Sequence, residues 1–547
     1  MSDLDTGHDR LFARGLRRCT RQAGTGVALC GLTCIALTIG PGRPTFDVLP
    51  TIGLILSLPT MLFRSLHLLS ICLVILSLPP WEAPTFWGCI VPAAWCWTRS
   101  VSPKSAFVAG FAYGFVACWS VSAFVREAVP ERGWLLQAAG CVLHGLQWGG
   151  IAVVFQVTQK RHGWRTLLVR VLSLTLAELL QLQYGVTWPL MSISAAAADT
   201  TVAQWASVAG PLGVAGGVYA ANCLCLLALS SRGIRRRHGL VLALAWVAAI
   251  WSSGTALRDA MQIESPPLSV LLVQPGDLQE STSLCDTPVC QLERLTGLHS
   301  VEGSPVDLIV WPETCLPLAS VDELGDIRQE QHRSKGLTDV RRRFSMTLQS
   351  SGLVGVPIRR PRLVRRHGVS IQESEIVNTA VLIQPDGGVQ VHEKQVVVPI
   401  REGLPSWCDN RWVRRVVLPL FDQSAQVTQG SSFRLLRLQT RDGRQVRIAV
   451  CICYESLFPQ LPQFRMSSEC DAIVHLIYDG DFQSHPEWIQ IHLTACRQRA
   501  IETRKWTYVC STVSGSAVID PSGRMIARLE KGPGALRFDR TARPRSE

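Results

Sequence analysis

The chain of 547 residues has room for about three average domains, but its charges are unevenly spread. Residues 23–257 are rich in Leu, Ala, Val, Trp and Gly, whereas residues 258–547 hold most of the Asp and Glu, so a uniformly water-soluble protein is excluded. The formal net charge of +12 comes largely from Arg and Lys clusters that border apolar runs, which is a signature of membrane topology rather than of a nucleic-acid partner.

Residues 1–23 read as a cytoplasmic segment carrying Arg10, Arg14, Arg17, Arg18 and Arg21. No small-residue cleavage site precedes Pro41, which argues against a cleaved signal peptide. Residues 24–257 then read as a transmembrane domain of about seven to nine helices. Gly24–Ile39, Val48–Phe63, Ser65–Leu78 and Pro84–Trp97 are apolar but short of a standard span, and fit either four short helices or two helices plus re-entrant pieces. Ser105–Val125, Trp134–Gln159, Ala203–Ser231 and Gly239–Leu257 reach the roughly 20 apolar residues a bilayer core demands. Leu167–Tyr184 is interrupted by Arg170 and Glu178, and charges inside a span face the protein interior or a water-filled cavity.

Cationic residues at Arg99 and Lys104, at Lys160, Arg161 and Arg165, and in the loop at Arg232, Arg235, Arg236 and Arg237 mark cytoplasmic connections. Nine spans would deliver the C-terminal part to the outer face. The 19 cysteines include many in apolar runs, such as Cys30, Cys34, Cys118 and Cys223, where a thiol acts as a small hydrophobe. No paired CxxC with a further CxxC or His partner exists, so no metal site and no cofactor are expected. Cys285 and Cys290 lie in a polar loop and are candidates for a local disulfide, although free thiols are the commoner outcome for such pairs.

Beyond Leu257 the period changes to strands and turns. Strand-length runs fall at Leu268–Val273, Asp307–Trp311, Gly352–Val356, Asn378–Ile383, Val446–Ile452, Asp471–Ile477 and Thr507–Val509, with amphipathic stretches between several of them. An α/β or layered α+β domain over residues 265–535 follows, leaving 536–547 as a polar tail. Asn378–Val391 reads as a hairpin turning at Pro385-Asp386-Gly387-Gly388, and a second turn is placed at Pro521-Ser522-Gly523.

Three stretches carry chemistry. Glu313 ends a buried strand directly after Trp311 and Pro312, at the rim of a sheet. Lys394 leaves the hairpin, with Glu402 eight residues on. Cys453, followed by Tyr454 and Glu455, ends a further strand where a nucleophile on a strand-to-helix bend is expected. Cys451, two residues earlier, reads as inert core.

In this order Trp311-Pro312-Glu313, Lys394 with Val398-Pro399 and Glu402, and Cys453-Tyr454-Glu455 resemble the nitrilase superfamily, and most closely its membrane branch, the apolipoprotein N-acyltransferases. The segment YGVTWPL at 184–190 with Glu178 before it, LLVQPGDLQ at 271–279 and CRQRAIE at 496–502 are similar to that family too, so the likeness spans roughly residues 65–535. It implies a multi-span α-helical membrane domain followed by a nitrilase-like αββα sandwich in a bacterial inner membrane, with the sandwich on the periplasmic side. It also implies transfer of an acyl group from a phospholipid donor, through a Cys453 thioester, to the N-terminal amine of a diacylglyceryl-modified apolipoprotein. Glu313 would then be base and acid, Lys394 and the Tyr454 N–H would stabilise the oxyanion, Glu402 would assist proton traffic, Glu455 would orient the loop, and Trp311 and Tyr454 would line the acyl site.

Two departures stand out. YDGDFQ at 478–483 keeps Asp479 and Phe482 but lacks the Asn and Trp of the family pattern, which would alter the substrate pocket. Residues 531–547 are too polar for the family's final membrane helix. The same triad with water as acceptor would make a membrane-tethered amidase, and a catalytically silent binding protein is a third reading that intact Glu313, Lys394 and Cys453 oppose.

Overall fold

The computed structural model describes residues 61–541, apart from 79–83, 127–132, 185–191, 277–287, 302–304, 321–336, 399–401, 404–426, 462–467, 481–485 and a few one- or two-residue positions. The Arg-rich N-terminal segment, the apolar runs before residue 61, the loop at 185–190, Cys285 and Phe482 lie outside the described residues. The chain forms two compact units, the second comprising mainly residues 255–547.

In the first unit the helices are α1 (Met61–Ser77), α2 (Val91–Thr98), α3 (Pro103–Val121), α4 (Gly133–Val157), α5 (Trp164–Tyr184), α6 (Ala206–Ser230) and α7 (Gly233–Asp259). The run Pro84–Trp97 is thus divided between a short 3-10 turn at Pro84–Trp87 and the eight-residue α2. Among the described residues, four helical segments are long and apolar enough to cross a membrane: Pro103–Val121, Gly133–Val157, Thr201–Ser230 and Gly233–Asp259. Ser102 caps α3 through a reciprocal bond with Ser105, and Pro103 occupies the start of the helix, where its missing N–H costs nothing. The cations Arg235, Arg236 and Arg237 belong to the first turns of α7 rather than to a loop.

Two Gly-x-x-x-Gly pairs bring α3 against α4. A Cβ on Gly110 would lie 2.5 Å from the Trp148 carbonyl oxygen and one on Gly114 would lie 2.8 Å from that of His144, while Gly145 and Gly149 receive Phe111 and Phe107. Between helices in lipid such close approach supplies the packing energy that a hydrophobic effect cannot. The charges inside α5 face inward, as the apolar pattern requires. Arg170 donates to Thr158 Oγ1 at 3.0 Å, and Glu178 accepts from the Tyr219 hydroxyl at 2.8 Å and from Ser192.

The second unit is an αββα sandwich. One sheet has the order β13-β1-β2-β4-β5-β6, with β3 also on β4, and the other the order β12-β11-β10-β9-β8-β7. The strands are β1 (Val270–Gln274), β2 (Leu308–Val310), β3 (Ala319–Ser320), β4 (Ser351–Arg366), β5 (Val369–Ile383), β6 (Val389–Glu393), β7 (Leu436–Gln439), β8 (Gln445–Ile452), β9 (Ala472–Ile477), β10 (Trp506–Ser511), β11 (Ala517–Ile519), β12 (Met525–Arg528) and β13 (Gly534–Phe538). Alternation along β1 sorts the core: Val270 and Leu272 join the layer between the sheets, and Leu271 and Val273 join an outer layer with Leu292 of α8 (Pro288–Val301). On the far side, Ile489, Leu493, Cys496 and Ala500 of α9 (Pro486–Thr503) close the sandwich.

Both expected hairpins are present, β5 to β6 across Pro385–Gly388 and β11 to β12 across Pro521–Gly523. The polar-tail boundary at 535 is corrected, because β13 pairs Phe538 with Val270 and Ala535 with Val273. The missed strand is short and alternates Leu536 with Arg537, a pattern that reads as polar until a partner edge is supplied. Parallel pairing of β2 with β4 and of β8 with β9 places the C-terminal ends of β2, β8 and β9 where loops emerge together, the usual location of sites on such sheets.

Candidate active site

Glu313, Lys394 and Cys453 converge at this rim from three strands. Each leaves a strand end: Glu313 follows β2, Lys394 follows β6 and Cys453 follows β8. All three are enclosed, with Glu313 3%, Lys394 0% and Cys453 7% exposed. Lys394 Nζ donates to Glu313 Oε1 at 2.8 Å and to Glu402 Oε1 at 2.7 Å. The Cys453 thiol donates to the Tyr478 carbonyl oxygen, 3.8 Å away, and is close enough to the Glu313 carboxylate to feel its charge.

Cys453 adopts φ 50, left-handed backbone that a side chain other than glycine's resists. Such strain is held only where the surroundings over-determine it. Here β8 fixes the residue before and a 3-10 turn, Cys453–Leu457, the residues after. Glu455 locks this bend to the lysine loop. Its Oε2 accepts from the Ile452 N–H at 2.7 Å, and its Oε1 from the N–H groups of Gln395 at 2.5 Å and Val396 at 3.2 Å. Glu402 likewise accepts from the Val398 N–H at 2.7 Å, so both supporting carboxylates position the backbone around Lys394.

The electrostatics follow from burial. Burial and the neighbouring Glu313 carboxylate push the Cys453 thiol well above its ordinary range, against the pull of Lys394. Burial also raises Glu313, opposed by Lys394 and reinforced by Glu402. Burial alone would lower Lys394, but the two carboxylates hold it well above the usual lysine value. The resting proton therefore stays on sulfur, with a carboxylate of raised basicity beside it and a permanent cation behind that carboxylate. This arrangement generates a thiolate on demand and meets a developing oxyanion with positive charge.

Asn378 and Tyr478 belong to the site and were not singled out in the sequence. Asn378 Nδ2 donates to Glu313 Oε1 at 2.6 Å and the Tyr478 N–H donates to Oε2 at 3.2 Å. Asn378 was visible only as a hairpin residue; the signal that could have marked it is a polar amide at an inward position of a buried strand. Trp311 is placed elsewhere: its indole N–H donates to Thr296 Oγ1 at 3.1 Å and its ring lies edge-on to Phe344. It fixes α8 on the sheet behind Glu313. The Tyr454 ring is buried against Phe458. Cys451 is buried within β8 opposite His475. In the altered YDGDFQ segment, Asp479 accepts from the N–H groups of Val513 and Ser514 at 2.7 and 3.0 Å, tying the loop after β10 to the rim.

Residues 292–536, which include most of the αββα sandwich and the strand ends that carry Glu313, Lys394 and Cys453, match the carbon-nitrogen hydrolase family. Residues 70–224 match the apolipoprotein N-acyltransferase N-terminal domain. The two matches lie one after the other along the chain, as the membrane and catalytic parts do. An apolipoprotein N-acyltransferase of Chlorobaculum tepidum is 28% identical over 392 residues, 69% of this chain and 71% of that protein. One of Azotobacter vinelandii is 30% identical over 348 residues, 61% of each. A solved nitrilase-superfamily amidase from Nesterenkonia AN1, in a cysteine-to-alanine mutant form, aligns at 15% identity and TM-score 0.32, over 52% of this chain and 94% of that one.

Proposed function

We propose that the chain moves a fatty acyl group from a phospholipid to the N-terminal amine of a diacylglyceryl-cysteine apolipoprotein by a ping-pong route. The observation that carries this reading is the buried Glu313–Lys394–Cys453 cluster in a chain whose described residues include four helices apolar and long enough to span a bilayer. Glu313 accepts the Cys453 proton as sulfur attacks the ester carbonyl. Lys394 and the Tyr454 N–H face the oxyanion. Collapse breaks the C–O bond, Glu313 returns its proton to the departing lysophospholipid, and a thioester remains. The amine then attacks the thioester, Glu313 takes the amine proton, an amide forms and the Cys453 thiolate leaves, to be reprotonated by Glu313. Glu402 holds Lys394 in place as this proton shuttles.

The acceptor distinguishes this route from hydrolysis by a tethered amidase, since the enzyme must hold its thioester until an amine arrives. In this reading the protein resides in a bacterial inner membrane with its catalytic unit on the periplasmic side, where exported lipoproteins emerge. The apolar helices and the cations that border them support it. Full-length protein incubated with labelled phosphatidylethanolamine should acquire a hydroxylamine-sensitive adduct that a diacylglyceryl-cysteine peptide discharges as amide. An adduct released by water as fast as by the peptide would assign the hydrolase instead.

A further inference from the structure

The backbone of one residue meets both members of the proton-transfer pair. The Tyr478 carbonyl accepts from the Cys453 thiol at 3.8 Å, and the Tyr478 N–H donates to Glu313 Oε2 at 3.2 Å. Its side chain therefore leaves the chain only a few bonds from the atoms between which the proton moves. Tyr478 directly follows the buried strand β9, and Asp479 pins the turn after it by accepting from the N–H groups of Val513 and Ser514. The ring lies over Gly480. A Cβ on that glycine would stand 2.9 Å from both Cζ and the hydroxyl oxygen of Tyr478, so the ring occupies the space that a side chain there would take.

Trp311 and Tyr454 also adjoin the triad, but both are spent on packing. Trp311 is 1% exposed with its ring edge-on to Phe344, and Tyr454 is 3% exposed with its ring against Phe458. Tyr478 is only half-buried, and so keeps surface beside an otherwise enclosed thiol. Such a ring offers a flat apolar face and a polar tip. Set next to a nucleophile, a stiff ring limits the bulk that can stand beside the carbonyl under attack, and a single carbon more or less in a fitted apolar site changes rates by about tenfold or more. Tyr478 opens the YDGDFQ segment that departs from the family pattern, which makes this surface a property of the present chain.

We propose that Tyr478 is a specificity-determining residue, its ring forming the wall beside the carbonyl under attack, so that the site takes straight acyl chains and rejects chains branched at the α-carbon. The proposal rests on the reading of Cys453 as the group that is acylated. The test uses full-length protein in detergent with p-nitrophenyl butyrate and its α-branched isomer, p-nitrophenyl isobutyrate. With either ester the Cys453 sulfur bonds to the carbonyl carbon, the thiol proton passes to Glu313, the ester C–O bond breaks and nitrophenolate leaves. Tyr478→Ala should lower the butyrate-to-isobutyrate ratio of kcat/KM on the order of tenfold, whereas Tyr478→Phe, which keeps the ring, should hold the wild-type ratio. An unchanged ratio in Tyr478→Ala, or an equal fall in Tyr478→Phe, overturns the proposal. If Tyr478→Ala does not fold, Gly480→Ala decides, because its Cβ displaces the end of the ring; an unchanged ratio there overturns the proposal as well. A wild type that releases nitrophenolate from neither ester overturns the acyl-transfer reading instead. Alkylation of Cys453 by iodoacetamide and by 2-iodopropanamide, which carries one more methyl on the attacked carbon, then still decides the wall. The ratio of those two rates should fall in Tyr478→Ala, and a ratio equal to wild type rejects the assignment of Tyr478.

Discussion

The ammonium of Lys394 lies 2.8 Å from Glu313 Oε1, with neither side chain more than 3% exposed. A buried pair of this kind is weak evidence for stability, because desolvation offsets its attraction, but removing one partner leaves an uncompensated charge. Glu402, 2.7 Å from the same nitrogen, adds a second carboxylate, so Lys394 is the member whose loss disrupts the site most.

Lys394→Ala and Glu313→Gln are accordingly expected to differ. Lys394→Ala should lose about 3–5 kcal/mol of stability, read as a lower melting temperature in detergent. It should block acylation while leaving Glu313 to take the thiol proton. Glu313→Gln keeps the cation and removes the base, so a small alkylating reagent, which needs thiolate but builds no oxyanion, should react more slowly with Cys453 in Glu313→Gln than in Lys394→Ala. Wild-type alkylation in Glu313→Gln would remove Glu313 from the role of base.

Cys453→Ala and Cys453→Ser should form no acyl adduct, whereas Cys451→Ala should keep most of it. Cys451 is fully buried in β8, so its replacement costs packing, on the order of 1 kcal/mol for a small deletion, rather than chemistry. Equal labelling of wild type and Cys453→Ala would reject the nucleophile.

Asn378→Leu should slow acylation without abolishing it. Its amide is one of three donors held on Glu313, with Lys394 and the Tyr478 N–H. Losing one hydrogen bond to a charged group costs about 1.5–3 kcal/mol, and a carboxylate released from it sits less well on the thiol. A rate equal to wild type would show that Asn378 is scaffold alone.

Stability should depend on pH through Glu455, whose carboxyl burial pushes up to about 7 against the pull of its backbone N–H donors. The folded value is raised above the unfolded one, about 4.3, so the folded state binds the proton more tightly. That contribution is fully present below about pH 4.3 and is lost as pH rises through about 7. Glu313 and Asp479, also raised by burial, add slope of the same sign. In Glu455→Gln the fall in melting temperature from pH 5 to 8 should be shallower. The variant should also be less stable throughout by about 1–3 kcal/mol, because its NH2 group faces backbone donors. An unchanged slope would mean that Glu455 is ionised across the range.

A reporter fused after Glu547 should behave as extracytoplasmic, and one inserted beside Arg235 as cytoplasmic, because Arg235–Arg237 cluster at the start of α7 and cations near spans stay inside. A cytoplasmic Glu547 would place the catalytic unit away from exported acceptors.

The sequence by itself determined what depends on near neighbours along the chain. Apolar run length identified α3, α4, α6 and α7, strand alternation and Pro-Asp-Gly-Gly identified the β5–β6 hairpin, and the positions of Glu313, Lys394 and Cys453 at strand ends followed from where the runs stop. Only the tertiary structure decided which distant groups share a volume. Asn378 reaches Glu313 because the register of β4 with β5 sets it at the rim. Trp311, adjoining the Pro312-Glu313 pair, turns instead to Thr296. β13 became a strand because β1 offers it a free edge, and the Gly110 and Gly145 pairs gained meaning only when α3 met α4. Local pattern fixes period and ends, but register, partner edge and close approach are properties of two segments at once, and no window on one segment contains them.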